Sequence, residues 1–240
     1  MLATRMKLAA SGVGGVSGQY YLAFNGSSTI VNCGSDASLD DLHDAAMTVE
    51  MWVKMATFGD NNYAYLAAKV PDPFAPEGWL FGALSTKGIQ AAVYCASFAG
   101  VSQSGTDDFT NDDTWHHVAM TWDNASYNYP RLWIDGVEPS YLSTQNRVGV
   151  IESDAANVLK IGNRLAGDRE LDGDIAWVRI SNNIRYTAGF TPDAKDSPPA
   201  SDANTVEQWN FNEGSGATAA AEESSPTNDG TISNGSWGSL

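Results

Sequence analysis

Cysteine and histidine are scarce in this chain, with two of the first and three of the second in 240 residues. Cys33 and Cys95 lie in strand-like apolar runs and read as two small buried hydrophobes. A single bridge between them would require an oxidising compartment, and no export signal points to one. With His43 apart, His116 and His117 are the remaining pair. Neighbours on a strand point to opposite faces, so these two cannot chelate one ion. No Ser or Cys sits in a nucleophile motif, and Gly-x-Ser-x-Gly is absent. Basic residues are also few, 13 against 29 acidic ones, for a net charge of −16. Such a surface, without any basic cluster, repels phosphates and excludes nucleic acid as a partner. It suits a salty medium or a cation ligand. No stretch approaches the ~18 apolar residues of a membrane-spanning helix, so no membrane insertion and a soluble chain are expected.

Aromatics, by contrast, are plentiful: eight Trp, nine Tyr and eight Phe, with 23 Gly and nine Pro placed mostly between apolar runs. Large rings favour strands, and Gly and Pro punctuate turns. Residues 20–32 alternate around a turn at Phe24-Asn25-Gly26-Ser27. Thr48 to Lys54 has strict period two, with Val49, Met51 and Val53 on one face and Glu50, Trp52 and Lys54 on the other. Residues 63–70, 78–85 and 88–96 read as strands, and Pro71 to Pro76 as a loop, because proline lacks the ladder donor. Trp115 to Trp122 alternates again, with Val118, Met120 and Trp122 together. Arg131 to Ile134 runs into Asp135-Gly136, a type I′ hairpin signal. Residues 157–162, 173–181 and 206–211 supply further strands, with Pro192 to Asp202 a linker and a small-residue tail at the end. No window has helical periodicity. Ten or more short strands at regular spacing, in a length that suits one all-β domain, predict an antiparallel two-sheet jelly-roll sandwich. Arg5 and Lys7 resemble a signal n-region, but Leu8 to Gly15 is too small and Gly-rich for an h-region. Residues 1–18 are therefore expected to form a flexible arm, and 19–240 the domain.

The segments LAFNGSSTIV, MTVEMWVKM, TWHHVAMTWD, RLWIDGVEP, LKIGNR, GDIAWVRISNNIRY and VEQWNFNEGSG, in this order, resemble the bacterial laminin-G-like jelly-roll family of the concanavalin A-like lectin/glucanase superfamily. The quoted segments run from Leu22 to Gly216, and the resemblance extends from about residue 20 to about residue 238. The resemblance implies two curved antiparallel sheets, with ligand or ion sites on loops at one rim. The stretch from Trp209 to Gly216 looks like an element that often opens such domains, yet here it comes last. It is expected to close the sandwich near the first strand, bringing the two ends together.

Three motifs bear on chemistry. Glu170, Asp172 and Asp174 would share a face on a strand, and laminarinase-type hydrolases of this fold use a similar ladder. Here Gly173 interrupts it and the last position is Asp where those enzymes carry Glu, so solvated turn acids are preferred. For calcium, the resemblance points to Asn25, Asn212, Glu213 and Asp229 as ligands. Many relatives carry Asp where this chain has Asn25, Asn212 and Ala176, and each change removes charge that an ion would want. Backbone-capping turn residues are the competing explanation. Aromatics in or beside polar loops, Tyr63, Tyr65, Trp79, Tyr127 and Tyr129, are the candidates for stacking on a glycan, with packing as the alternative for each. Trp52, Trp133 and Trp177 lie on strands and read as core or sheet-face residues.

The function expected is a non-catalytic binding or structural module. A virion-surface decoration or fibre protein comes first, with surface glycans or virion proteins as partners and a homo-oligomer compatible with that role. A free or extracellular lectin comes second, and a glycoside hydrolase third.

Overall fold

Alternation in the Thr48–Lys54 segment becomes a strand with Val49, Met51 and Val53 wholly buried on one side. Successive side chains on a strand point to opposite faces, so Glu50, Trp52 and Lys54 look the other way. The computed structural model describes residues 20–57, 63–71, 77–86, 88–105, 108–109, 113–164, 167–224 and 227–240. The arm expected at 1–18 and most of the loop expected at Pro71 to Pro76 lie outside them. Over the described residues the strands are β1 (Tyr20–Asn25), β2 (Ile30–Asn32), β3 (Ala46–Thr57), β4 (Tyr63–Lys69) and β5 (Trp79–Leu84). Next come β6 (Gly88–Val93), β7 (Gly100–Ser104), β8 (Trp115–Asp123), β9 (Arg131–Ile134), β10 (Tyr141–Gln145) and β11 (Lys160–Ile161). The last are β12 (Asp172–Ser181), β13 (Thr205–Trp209), β14 (Thr218–Ala219), β15 (Gly230–Ser233) and β16 (Ser236–Ser239). The helices among these residues are two 3-10 turns, Ala37–Leu39 and Leu42–Asp44.

The strands form two antiparallel sheets, as the jelly-roll expectation requires. The first runs β16-β1-β12-β3-β8-β9 with β13 also on β12, and the second runs β10-β7-β6-β5-β4-β11-β2-β15-β14. β12 organises the first sheet. One edge pairs β3 from Asp172 opposite Thr57 to Ser181 opposite Thr48. Its other edge is shared by β1, with Leu22 opposite Ile175, and by β13, with Trp209 opposite Val178. β16 then pairs β1, Leu22 opposite Trp237. The Trp209 segment, β13, thus pairs β12 on the edge that β1 shares. Between the sheets lies one core that includes Leu22, Met51, Trp79, Phe81, Trp122 and Trp209. The hairpin at Asp135-Gly136 has φ of 50° and 77°, as a type I′ turn requires. A Cβ on Gly136 would lie 1.9 Å from the Phe190 carbonyl oxygen, so close approach also demands glycine there.

Two segments differ from expectation. Pro192 to Asp202 is not a linker but part of a strap over the outer face of the first sheet. Its ends are joined by Asn182 N–H donating to Asn204 O at 3.0 Å, and the indoles of Trp52 and Trp177 donate to Asp193 O and Ala194 O at 2.7 and 3.4 Å. Proline, serine and aspartate suit the strap because its backbone is bonded by side chains below it, not by a ladder. The tail contains β14, β15 and β16, whose small polar residues give little periodic signal. The strand expected at 157–162 shortens to Lys160–Ile161.

Under the strap, Glu50 is 1% exposed and accepts from Arg179 Nε at 2.7 Å, His117 Nε2 at 3.1 Å and Tyr186 Oη at 2.5 Å. Burial opposes its charge, but the His117 bond, the Arg179 charge and the Tyr186 hydroxyl outweigh it and hold the carboxyl below its usual range. A depressed carboxyl stabilises the fold fully above the ordinary carboxylate pKa of about 4.3, and the contribution is lost as pH falls through the folded value. Glu50→Gln should therefore lower the melting temperature at about pH 7, at a cost of about 3–5 kcal/mol for leaving Arg179 buried without its partner. The gap between variant and parent should narrow as pH falls below about 4. Thermal melts across pH check this, and a gap constant with pH would contradict it.

Candidate functional site

A β-bulge between Tyr65 and Ala67 sets up the outer face of the second sheet. The extra residue lets Leu66 and Ala67 both enter the core, so Tyr63, Tyr65 and Ala68 all face outward. They meet Leu80, Ala92 and Tyr94 from β5 and the end of β6 in a small apolar cluster distinct from the main core. Gly82 is outward on β5, and a Cβ there would lie 2.9 Å from the Tyr63 ring and 2.6 Å from Ala64 O. Its missing side chain is what lets Tyr63 lie against the sheet. Tyr63 and Tyr65 then meet edge to face with centroids 5.2 Å apart.

These residues line a groove of about 270 Å³, with Gln90, Arg164 and Arg169 completing its wall. Tyr65, 4% exposed, is the floor, while Tyr63 and Tyr94 are half-buried and flank it. Gln103 Nε2 donates to Gln90 Oε1 at 2.9 Å, which leaves the Gln90 amide nitrogen outside that bond. Burial raises all three phenols above their ordinary pKa, which keeps them neutral donors. The Tyr63 hydroxyl has no hydrogen-bond partner among the described residues. The loop carrying the arginines is latched at its base. Buried Asn163 accepts from Arg164 N at 2.7 Å and Arg169 N at 3.3 Å, and Tyr65 N–H donates to Arg169 O at 3.0 Å. Arg164 pairs with Asp168 through Nε and Nη2.

Tyr127 and Tyr129 lie elsewhere, in a cleft of about 340 Å³ with Arg131 and Glu138. There the polar groups satisfy one another. Arg131 Nε donates to Glu138 at 2.9 Å, Tyr141 Oη does so at 2.8 Å, and the guanidinium sits 5.9 Å over the Tyr127 ring. Tyr127 also packs against the main core, and Tyr129 meets Tyr141 at 5.9 Å. The expected aromatics are therefore split between two sites, Tyr63 and Tyr65 in one, Tyr127 and Tyr129 in the other.

Trp79 belongs to neither and corrects the expectation that it is available to stack on a glycan. It is 1% exposed inside the main core, because its place on β5 matches that of Phe81 and Ala83. Three of the four residues expected around calcium accept local backbone hydrogen bonds. Asn25 Oδ1 accepts from the backbone N–H of Ser27, Ser28 and Thr29 at 2.9 to 3.1 Å, capping its own turn. Glu213 and Asp229 accept from Ala220 N and Ala221 N at 2.6 and 2.9 Å, and Asn212 is exposed. Among the described residues no group of three or more His, Cys, Asp or Glu side chains is arranged to hold a metal. The acidic ladder is also dispersed. Glu170 precedes β12, Asp172 accepts from Thr57 Oγ1 at 2.7 Å, and Asp174 pairs with Lys54 at 2.9 Å. His116 and His117 take opposite faces, bonded to Asp135 at 2.7 Å and Glu50 at 3.1 Å. Cys33 and Cys95 are buried without a disulfide.

Gln90, Tyr94, Arg164 and Arg169 were not singled out by sequence. Gln90 and Tyr94 share outward parity with Ala92, a signal that period-two counting contains once the core face of β6 is known. Nothing local marks the two arginines.

A family profile described as the Concanavalin A-like lectin/glucanases superfamily matches residues 21–188. Among solved structures, a candidate carbohydrate-binding protein from Bacteroides ovatus has a TM-score of 0.63 at 12% identity, covering 94% of this chain and 61% of its own. The chain thus spans about three-fifths of that protein's length. The Ruminococcus gnavus IT-sialidase CBM40 bound to α2,3 sialyllactose has a TM-score of 0.49 at 10% identity, covering 69% of this chain and 91% of its own. Mouse laminin α1 domains LG4-5 have a TM-score of 0.49 at 12% identity, covering 84% and 50%. No curated protein matches the sequence.

Trp79→Ala should act on stability, costing about 3–5 kcal/mol as a buried aromatic truncation does. Denaturant unfolding of this variant beside Tyr129→Ala checks the placement. A Trp79 variant as stable as the parent would contradict it.

Proposed function

The chain belongs to the concanavalin A-like lectin/glucanases superfamily, and we propose that it is a non-catalytic carbohydrate-binding module whose glycan lies in the Tyr63–Gln90–Tyr94 groove. A virion or extracellular surface is proposed as its place of action. The observation that carries the proposal is the composition of the groove: ring faces and edges for the apolar side of a sugar, beside a side-chain amide and guanidinium donors for its hydroxyls. Few polar groups converging on an apolar concavity is the usual chemistry of a small-ligand site. The same fold supports catalysis in other proteins, so the argument rests on the site. Asp172 and Asp174 carry partners that hold them in place, and the carboxylate beside the groove, Asp168, is bonded to Arg164.

Glycan-array binding followed by calorimetry tests this. Tyr94→Ala and Gln90→Ala should each weaken binding about tenfold, equivalent to about 1.4 kcal/mol, with melting temperatures close to the parent's. Tyr129→Ala should leave affinity unchanged. Loss of binding in the Tyr129 variant alone, or release of reducing ends from a bound glycan, would count against the proposal.

A further inference from the structure

We propose that the groove selects an anionic glycan, one whose sugar carries a carboxylate or a sulfate, and that Arg169, with Arg164 beside it, receives that group. The inference rests on the carbohydrate-binding proposal above and names the class of sugar.

The chain has only 13 basic residues against 29 acidic ones, yet two of the 13 line this single groove from one short loop. Two other cations beside aromatic rings are matched by carboxylates, while Arg147, 5.7 Å over the Trp122 ring, donates to the Asn124 and Tyr127 carbonyls. Arg131 faces Glu138, and Lys54 lies between Asp113 at 3.3 Å and Asp174 at 2.9 Å. At the groove, two guanidiniums share Asp168. Arg164 takes it by two bonds, while Arg169 Nη1 reaches its Oδ2 at 3.6 Å and donates to its backbone carbonyl. Arg164 and Arg169 thus bring two positive charges to the groove and Asp168 one negative charge beside them. The charges that act on the three phenols of the groove are these same three residues.

A guanidinium presents five N–H donors in a planar fork, which matches the oxygens of a carboxylate or sulfate. Arg169 spends Nη1 on Asp168, and among the described residues its Nη2 and Nε show no hydrogen bond. The Asn163 latch and the Tyr65–Arg169 backbone bond hold the base of the loop, which lowers the entropy cost of binding through it. The acidic remainder of the molecule acts weakly here, since the Debye length is about 8 Å at physiological salt. A bound anion therefore responds to the charges lining the groove more than to the net charge.

Calorimetry on the full chain with three glycans of one backbone, neutral, carboxylated and sulfated, tests the inference. One or both charged forms should bind about tenfold tighter than the neutral form, and which one does so separates the two anion sources. Arg169→Gln should remove that preference, weakening the charged form about tenfold more than the neutral form. Arg169→Lys, which restores the charge without the fork, should recover part of it. Thermal melts of both variants report on folding. Equal affinity for neutral and charged forms, or an Arg169→Gln loss equal for both, would overturn the anionic selection and leave the groove as a neutral-glycan site. Binding undiminished by Tyr94→Ala, or no binding of any of the three, would overturn the groove itself.

Discussion

β12 carries more of the architecture than any other strand. One edge is committed to β3 along its whole length, and its other edge is divided between β1 from the start of the chain and β13 from near its end. This arrangement makes the first and last strands interdependent, since neither completes that edge alone. It also aims Ile175, Val178 and Ile180 into the core while Trp177 and Arg179 face the strap. The outer surface of the first sheet is consequently occupied: the strap lies on Trp52 and Trp177, and Glu50 draws together Arg179, His117 and Tyr186. The open, chemically varied face belongs to the second sheet.

On that face, the groove follows from two local departures from regularity. The bulge after Tyr65 turns a second residue inward and preserves outward tyrosines on both sides of it. Gly82 removes the one side chain that would lift Tyr63 off the sheet. Together they make a depression floored by rings, and the loop from Asn163 to Arg169 supplies its charged wall. A sugar needs both features: a flat apolar surface for its C–H face and oriented donors for its oxygens. The Tyr127–Tyr129 cleft has rings as well, but Arg131, Glu138 and Tyr141 already satisfy one another there.

Much of the sandwich was legible in the sequence because burial on one face writes a period of two into each strand. Val49, Met51 and Val53, or Val118, Met120 and Trp122, reveal their face without reference to any neighbour. Asp135-Gly136 announced its turn because so few residue pairs accept positive φ. The strap was misjudged as a linker because its bonds come from indoles more than a hundred residues earlier, or on another strand, which proline and serine content cannot show. Trp79 was misassigned because proximity to a proline-rich loop was weighed above its parity with Phe81. The groove was half visible. Tyr63 and Tyr65 were named, but Gln90 and Tyr94 join them only through sheet pairing, and Arg164 and Arg169 only through the fold of a loop.

The account places a glycan on the outer face of the nine-stranded sheet, and amide and side-chain NMR shifts during a glycan titration locate it most directly. Shifts centred on Tyr63, Gln90, Tyr94 and Arg169, with the Tyr127–Tyr129 loop and the Asn25 and Glu213 turns unmoved, are the expected result. Shifts centred on either of those other regions, with the groove silent, would contradict the account.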